Sequence, residues 1–294
     1  MRYSVYNIQG VLSDVKEKRN DAEMSETMLW IGAAYLLLGG VAGFFAGLLG
    51  IGAGLLMVPA LDELFLAQGM SADLSLRLAL GTSMAGIIFN SLASLRAHHR
   101  HGAVLWPAVV AISPGIVIGT LAGSQIVRLM PTQTLGIVFA VFLVAVAVQM
   151  VLNLKPQPSR QLPGVAGMTA TGGAIGLVMS LIAGGGGVLS VPFLIWCNVD
   201  VRKAIGTSAA IGFPIAVSGT LGYVMAGFAG SGLPAGSVGF VYLPALCVVV
   251  LASSLTARFG ADLAHRLPVA LLRKIFAALL LVVAARLLLR IAGH

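Results

Sequence analysis

The sequence predicts an all-α polytopic membrane protein made of two inverted-topology repeats, each with about five helical segments. Three observations support this fold class: long apolar stretches without charge, a set of motifs that occurs twice, and a swap of positive charge between equivalent loops. In such a fold, glycine-broken or re-entrant helices of the two repeats are expected to meet near the membrane midplane.

The composition excludes an ordinary soluble domain. Of 294 residues, 58% are hydrophobic and 10% are charged, with a mean hydropathy of +0.98, whereas soluble domains carry about 25% charged residues. About 20 apolar residues cross the hydrocarbon core of a bilayer, so the uncharged stretch 204–257 is long enough for two crossings. The other stretches without Asp, Glu, Lys or Arg are 27–61, 78–95, 129–154 and 161–199.

The domain organisation follows from the same pattern. A polar tail is expected over 1–24, because this segment has no apolar core that would make it a signal peptide, and translation could start at Met1 or Met24. Membrane repeat 1 is expected over 25–154, a linker over 155–164 and membrane repeat 2 over 165–292. The helical segments are expected at 27–49, 53–68, 74–96, 103–128 and 132–154, then at 165–183, 187–197, 202–228, 238–262 and 269–290. The short second segment of each repeat could span the membrane or be re-entrant.

Three pairs of motifs reveal the repeat, and they occur in the same order in both halves. Residues 39–61 and 172–194 share ten of 23 positions at a shift of 133. Gly81-Thr82-Ser83 matches Gly206-Thr207-Ser208 at a shift of 125. At a shift of 137, glycines and prolines match again: Gly102, Pro107, Gly123 and Pro131 with Gly239, Pro244, Gly260 and Pro268.

The positive charges indicate how the repeats are oriented. The basic segment Arg96–His101 has an uncharged counterpart at 227–236, and the nearly neutral segment around Arg128 has a basic counterpart at 258–274. Because Lys and Arg concentrate in cytoplasmic loops, this swap is expected of two oppositely inserted copies. The same rule places Arg96–His101, Lys155–Arg160, Arg202–Lys203 and Arg258–Lys274 in the cytoplasm, and both termini outside. Basic residues at helix ends anchor helices, so the net charge of +8 does not predict nucleic-acid binding.

Glycine clusters that lead into the second segment of each repeat form the first candidate for substrate binding. They contain Gly50, Gly52 and Gly54 in repeat 1 and Gly184, Gly185, Gly186 and Gly187 in repeat 2. Unwound backbone in a bilayer must be buried by protein or line a cavity, and matching broken segments point to a transporter's binding site. Helix N-termini that follow such breaks suit an anion. Alternatively, the glycines only permit close helix packing.

Polar side chains on long apolar helices form the second candidate. Thr82, Ser83, Thr207 and Ser208 could donate hydrogen bonds to a ligand, or could bond back to their own helices. Asn90, about two turns after Ser83, could bind solute or bridge two helices.

The remaining polar groups favour structural roles. We interpret His98-His99-Arg100-His101 as a basic anchor rather than a metal site, since adjacent histidines on a helix cannot all face one ion. Cys197 and Cys247 are interpreted as small apolar packing residues. No nucleotide-binding signature occurs, and neither a cofactor, a metal nor an enzymatic activity is predicted.

These motifs resemble the TauE/SafE family of sulfite and organosulfonate exporters. The resemblance extends from about residue 28 to 290 and rests on GGVAGFFAGLLGIGAGLLMVPAL, GTSMAGIIFNSLASLRAHHRHGAV, GGAIGLVMSLIAGGGGVLSVPFL and KAIGTSAA. It implies a multi-pass secondary transporter in the bacterial inner membrane, exporting a small sulfur-containing anion with proton coupling. The leading hypothesis is alternating access, and the alternative is an anion channel or an importer of a different small anion. The expected partners are a small anionic solute and the lipid bilayer, without nucleic acid, and a homodimer is left open.

Overall fold

The computed structural model describes residues 26, 28–45, 54–152, 157–228, 230, 232–264 and 269–292. Gly50, Gly52 and the predicted tail 1–24 lie outside these residues. The described chain forms ten helices and one small hairpin: α1 (Met28–Phe45), α2 (Gly54–Ala67), α3 (Ala72–Arg100), α4 (Trp106–Leu129), α5 (Thr132–Leu152), α6 (Val165–Ile182), α7 (Gly187–Trp196), α8 (Val201–Phe228), β1 (Ser237–Val238), β2 (Val241–Tyr242), α9 (Leu243–Ala264) and α10 (Val269–Ala292).

Within the described residues, seven helices are long and apolar enough to cross a membrane: α1, α3, α4, α5, α6, α8 and the part of α10 from Lys274 to Ala292. By contrast, α2 and α7 have 14 and 10 residues and reach only about 21 and 15 Å at 1.5 Å per residue. Large apolar side chains cover the outside, with Leu129 79% exposed and Trp30 76% exposed. The predicted all-α, multi-pass membrane fold is confirmed.

Two helix boundaries differ most from the prediction. Helix α3 continues to Arg100, so the predicted basic loop Arg96–His101 consists mostly of the last turns of a helix. The helix expected from residue 238 begins only at Leu243, because the β1–β2 hairpin precedes it. Gly239 at the turn of this hairpin has a φ of 56°, which glycine adopts at little cost.

Two pairs of equivalent helices, α3 with α8 and α5 with α10, lie side by side and run in opposite directions. On α3 and α8, Met84 lies beside Gly219 and Ser91, further along α3, lies beside Gly212, which comes earlier in α8. The beginning of α5 likewise contacts the end of α10, where Gly136 meets Ile291. Each of these pairs joins the same helix of both repeats.

The first helix of each repeat packs on the fourth helix of the other. Helix α1 contacts α9, and α6 contacts α4, at backbone-to-backbone distances that leave no room for a Cβ on the glycines between them. The contacts fall at repeat-equivalent positions: Gly39 with Val249 and Gly172 with Ile112, then Gly43 with Ser253 and Gly176 with Ile116. These glycines therefore serve close helix packing, and the two repeats are interlocked.

Candidate functional site

The break in repeat 2 is a buried, unwound segment between two helices. Helix α6 ends at Ile182, and Ala183 has left-handed backbone with a φ of 45°. Residues 183–186 are all buried, and α7 begins at Gly187. Because non-glycine residues rarely adopt this conformation, the surrounding packing holds the chain in an interruption that the glycine cluster allows.

The start of α2 in repeat 1 lies at this unwound segment of repeat 2. Gly54, the first residue of α2, lies against the carbonyl oxygen of Ala183 so closely that a Cβ would overlap it. On the other side, Gly186 lies against the backbone of Ser208 and Gly212 on α8. The structure thus brings together the start of α2, the unwound segment, the start of α7 and the interior of α8. Gly50 and Gly52 are outside the described residues.

Thr82 and Thr207 connect the two repeats through reciprocal hydrogen bonds. The Thr82 hydroxyl oxygen accepts from the backbone N–H of Tyr242 at 3.0 Å, and the Thr207 hydroxyl oxygen accepts from that of Leu105 at 2.9 Å. Leu105 and Tyr242 are themselves equivalent at the shift of 137. Each hydroxyl therefore binds the segment just before the fourth helix of the other repeat.

Ser83 and Ser208, by contrast, have buried hydroxyls with no hydrogen-bond partner among the described residues. Other hydroxyls on the same two helices donate to their own helix: Ser91 on α3 donates to Ile88 at 3.1 Å, and Ser218 on α8 donates to Pro214 at 2.6 Å. Leaving a buried polar group unsatisfied costs about 1–3 kcal/mol. These two equivalent serines are therefore the members of the predicted hydroxyl set that are free to bind a ligand.

Ser190 is a third hydroxyl of this kind, and sequence reasoning missed it. It lies in the first turn of α7, and its N–H donates to the carbonyl oxygen of Gly186 at 3.2 Å. Its own hydroxyl is buried, and no described residue is its hydrogen-bond partner. Its equivalent in repeat 1 is Met57, so comparison of the repeats did not mark the position. The available signal was a polar residue directly after a glycine cluster.

Asn90 lies on α3, next to Ser91, which lies beside Gly212 of α8. Its amide nitrogen is buried and has no hydrogen-bond partner among the residues that the structure describes. The equivalent residue in repeat 2 is Ile215, so this polar group belongs to repeat 1 only.

The other singled-out residues lie away from this centre. His99 accepts a hydrogen bond from the Trp106 ring nitrogen at 3.2 Å where α3 passes to α4. Cys197 is buried at the end of α7 and Cys247 is exposed on α9. In the part of the chain that the structure describes, no group of three His, Cys, Asp or Glu side chains could hold a metal ion.

Comparisons with known proteins place the chain among membrane transporters. A family model described as sulfite exporter TauE/SafE matches residues 35–287. A probable membrane transporter protein of Haemophilus influenzae is 34% identical over 82% of this chain and 92% of its own length. Probable membrane transporter proteins of Bacillus subtilis (YdhB) and Methanocaldococcus jannaschii (MJ0441) are 25% and 23% identical, over 63% and 76% of this chain and 76% and 83% of their own. No solved structure matches.

Proposed function

We propose a transport mechanism for this chain, which belongs to the TauE/SafE family of sulfite exporters. Family and relatives alike indicate a multi-pass membrane transporter rather than an enzyme. Our proposal is that the chain is a secondary transporter that exports a small sulfur-containing anion, such as sulfite or a sulfonate, across the bacterial inner membrane. Export is coupled to the proton gradient in this proposal.

One observation carries the assignment of the substrate site: two equivalent buried hydroxyls, on Ser83 of α3 and Ser208 of α8, have no hydrogen-bond partner among the described residues. Gly186 of the unwound segment lies against the backbone of Ser208. Hydroxyls donate to an oxyanion without needing to titrate. The N-terminus of α7 adds backbone N–H groups and the positive end of a helix dipole. Together with the predicted glycine clusters, these groups form a site in which protein replaces the hydration shell of the anion.

Alternating access follows from the relation between the repeats. The equivalent helices α3 and α8, and likewise α5 and α10, run in opposite directions, and the first helix of each repeat packs on the fourth helix of the other repeat. Both observations support the inverted topology inferred from charge. When two repeats are inverted, each can adopt the conformation of the other, and the two resulting states have similar energies. One state opens the site to one side of the membrane, and the other state opens it to the opposite side. The substrate site lies between the repeats and would be reached from either side in turn.

The test is anion exchange by the purified chain in proteoliposomes. We expect radiolabelled sulfite or methanesulfonate to exchange in protein-containing vesicles above the rate of protein-free vesicles, and exchange to saturate with substrate. An imposed pH gradient should accelerate uphill flux if protons are coupled. Flux that responds to membrane potential alone would reject the coupling, single-channel currents would favour a channel, and no exchange of any sulfur oxyanion by folded protein would refute the proposal.

A further inference from the structure

Among the described residues, the centre consists of the start of α2, the unwound segment 183–186, the start of α7 and the interior of α8. The parts of the helices that form it fall within the stretches 27–61, 78–95, 161–199 and 204–257, and none of these contains Asp, Glu, Lys, Arg or His. In the described part of the chain, the centre therefore has no cationic side chain to neutralise a bound anion and no carboxylate or imidazole to exchange a proton with it.

The nearest charged residues along these helices are engaged elsewhere or exposed. Arg77, six residues before Ser83, donates to the carbonyl oxygens of Asp73 and Met130 at 3.2 and 3.1 Å. Asp62, eight residues after Gly54, is paired with Arg290 at 2.6 Å. The remaining neighbours, Arg96 on α3 and Arg202 and Lys203 at the start of α8, stand toward the ends of their helices.

We infer that the centre binds its substrate as a monoanion, HSO₃⁻ or R–SO₃⁻, and discriminates against dianions such as sulfate. This inference rests on the proposed function and names the charge state that its site accepts. The available positive potential comes from helix N-termini, each equivalent to roughly half an elementary charge. Helix α7 and the described part of α2 both begin at the centre. The positive partial charges of two such N-termini together balance about one negative charge.

The size of the discrimination follows from dehydration. The cost of moving an ion out of water grows with the square of its charge, so a dianion loses about four times as much hydration energy as a monoanion of the same size. Interaction with fixed neutral dipoles grows only in proportion to the charge. A centre made of serine hydroxyls and backbone N–H groups can therefore offset the dehydration of a monoanion far better than that of a dianion.

The unpaired hydroxyls indicate which end of the centre holds the anion. Ser190 and Ser208 both contact Gly186, one through its N–H and the other through its carbonyl group. Both hydroxyls are buried, and neither has a hydrogen-bond partner in the described part of the chain. Repeat 1 has Met57 in place of Ser190. The oxyanion is therefore held mainly at the break of repeat 2, by Ser190, Ser208 and the first N–H groups of α7.

The charge-state test is anion exchange at equal pH on both sides, so that no proton gradient contributes. Methanesulfonate remains a monoanion and sulfate a dianion through the neutral range, whereas sulfite changes from bisulfite to sulfite dianion as the pH rises. We expect sulfate to exchange at least about tenfold more slowly than methanesulfonate. The ratio of sulfite to methanesulfonate exchange should fall from slightly acid to slightly alkaline pH in step with the bisulfite fraction, with protein-free vesicles subtracted.

The residue test uses Ser190→Ala and Ser208→Ala, with Ser218→Ala as a matched control because its hydroxyl bonds to its own helix. Each test variant should weaken methanesulfonate binding about 10- to 100-fold, as loss of a hydrogen bond to a charged group does, while the control binds normally. All three should unfold at similar temperatures.

The outcomes separate the two proposals. If methanesulfonate exchanges but sulfate exchanges as fast, or if the sulfite ratio rises with pH, the monoanion inference is wrong and transport stands. If both test variants bind like the wild type, the placement at the break of repeat 2 is wrong. If no sulfur oxyanion exchanges, the proposed function fails and this inference fails with it.

Discussion

At the residue scale, the buried carboxylate of Asp62 links three helices. One oxygen accepts from Arg290 on α10 at 2.6 Å, and the other accepts from the hydroxyl of Ser75 on α3, also at 2.6 Å. Glu63 lies 3.8 Å from the same guanidinium. The equivalent of Asp62 in repeat 2 is Ile195, so this ion pair fixes the short helix α2 on one side of the molecule only.

Removing the arginine should be costly because it leaves a buried charge without its counter-ion. We expect Arg290→Met to lower the free energy of unfolding by about 3–5 kcal/mol, measured by thermal unfolding in detergent. The double variant Asp62→Asn with Arg290→Met should recover most of this loss. Arg286→Met, an exposed position one turn earlier on α10, serves as the control; an equal loss there, or no recovery in the double variant, would contradict the explanation.

The sequence allowed the residues of the centre to be predicted only in part. Duplication marked Thr82 and Ser83 alike, but their different roles depend on a contact between Thr82 and Tyr242, 160 residues away, which no local pattern reveals. Ser190 was missed because Met57 occupies the equivalent position. Repeat comparison finds groups that both halves share, and it is blind to groups that only one half possesses.

At the element scale, helix composition predicted most helices to within a few residues, because glycine and proline positions fix where apolar segments stop. It did not predict the β1–β2 hairpin. The shift between the repeats grows from 125 to 137 after α8, and the connection from α8 to α9, which contains Ser237–Tyr242, is longer than the connection from α3 to α4. Strands of two residues are too short to give an alternation pattern.

The packing of α6 on α4 gives a test at this scale from two adjacent glycines. A Cβ on Gly172 would collide with the backbone at Ile112, whereas a Cβ on Gly173 would meet its nearest atom at an ordinary 3.7 Å. We expect Gly172→Ala to cost about 1–3 kcal/mol by overpacking. Gly173→Ala should be neutral, or stabilising by up to about 1 kcal/mol through helix propensity. Unfolding by heat in detergent measures both; similar values for the pair would refute close packing at Gly172.

At the scale of the whole molecule, the contacts that hold the two repeats together are symmetric, whereas the polar groups of the proposed site are not. The reciprocal bonds of Thr82 and Thr207 and the exchanged first helices belong to both halves. Ser190 occurs in repeat 2 only and Asn90 in repeat 1 only, and the Asp62–Arg290 pair, which joins α2 to α10, has no counterpart because Ile195 is the equivalent of Asp62. In the proposed mechanism, the two repeats exchange conformations while repeat 2 keeps most of the contacts to the anion.

The inverted arrangement makes a prediction about the two membrane faces. Because α3 and α8 run in opposite directions, His101 after α3 and Ala235 after α8 should open to opposite sides, although they follow equivalent helices. Both residues are exposed. In a background with Cys197→Ala and Cys247→Ala, we expect His101→Cys to react with a membrane-impermeant maleimide only after the cytoplasmic face is opened, as the positive-inside rule requires. Ala235→Cys should react in intact cells. If both cysteines are labelled from the same side, the two repeats have the same orientation in the membrane. The two alternating states would then not follow from exchanging the conformations of the repeats.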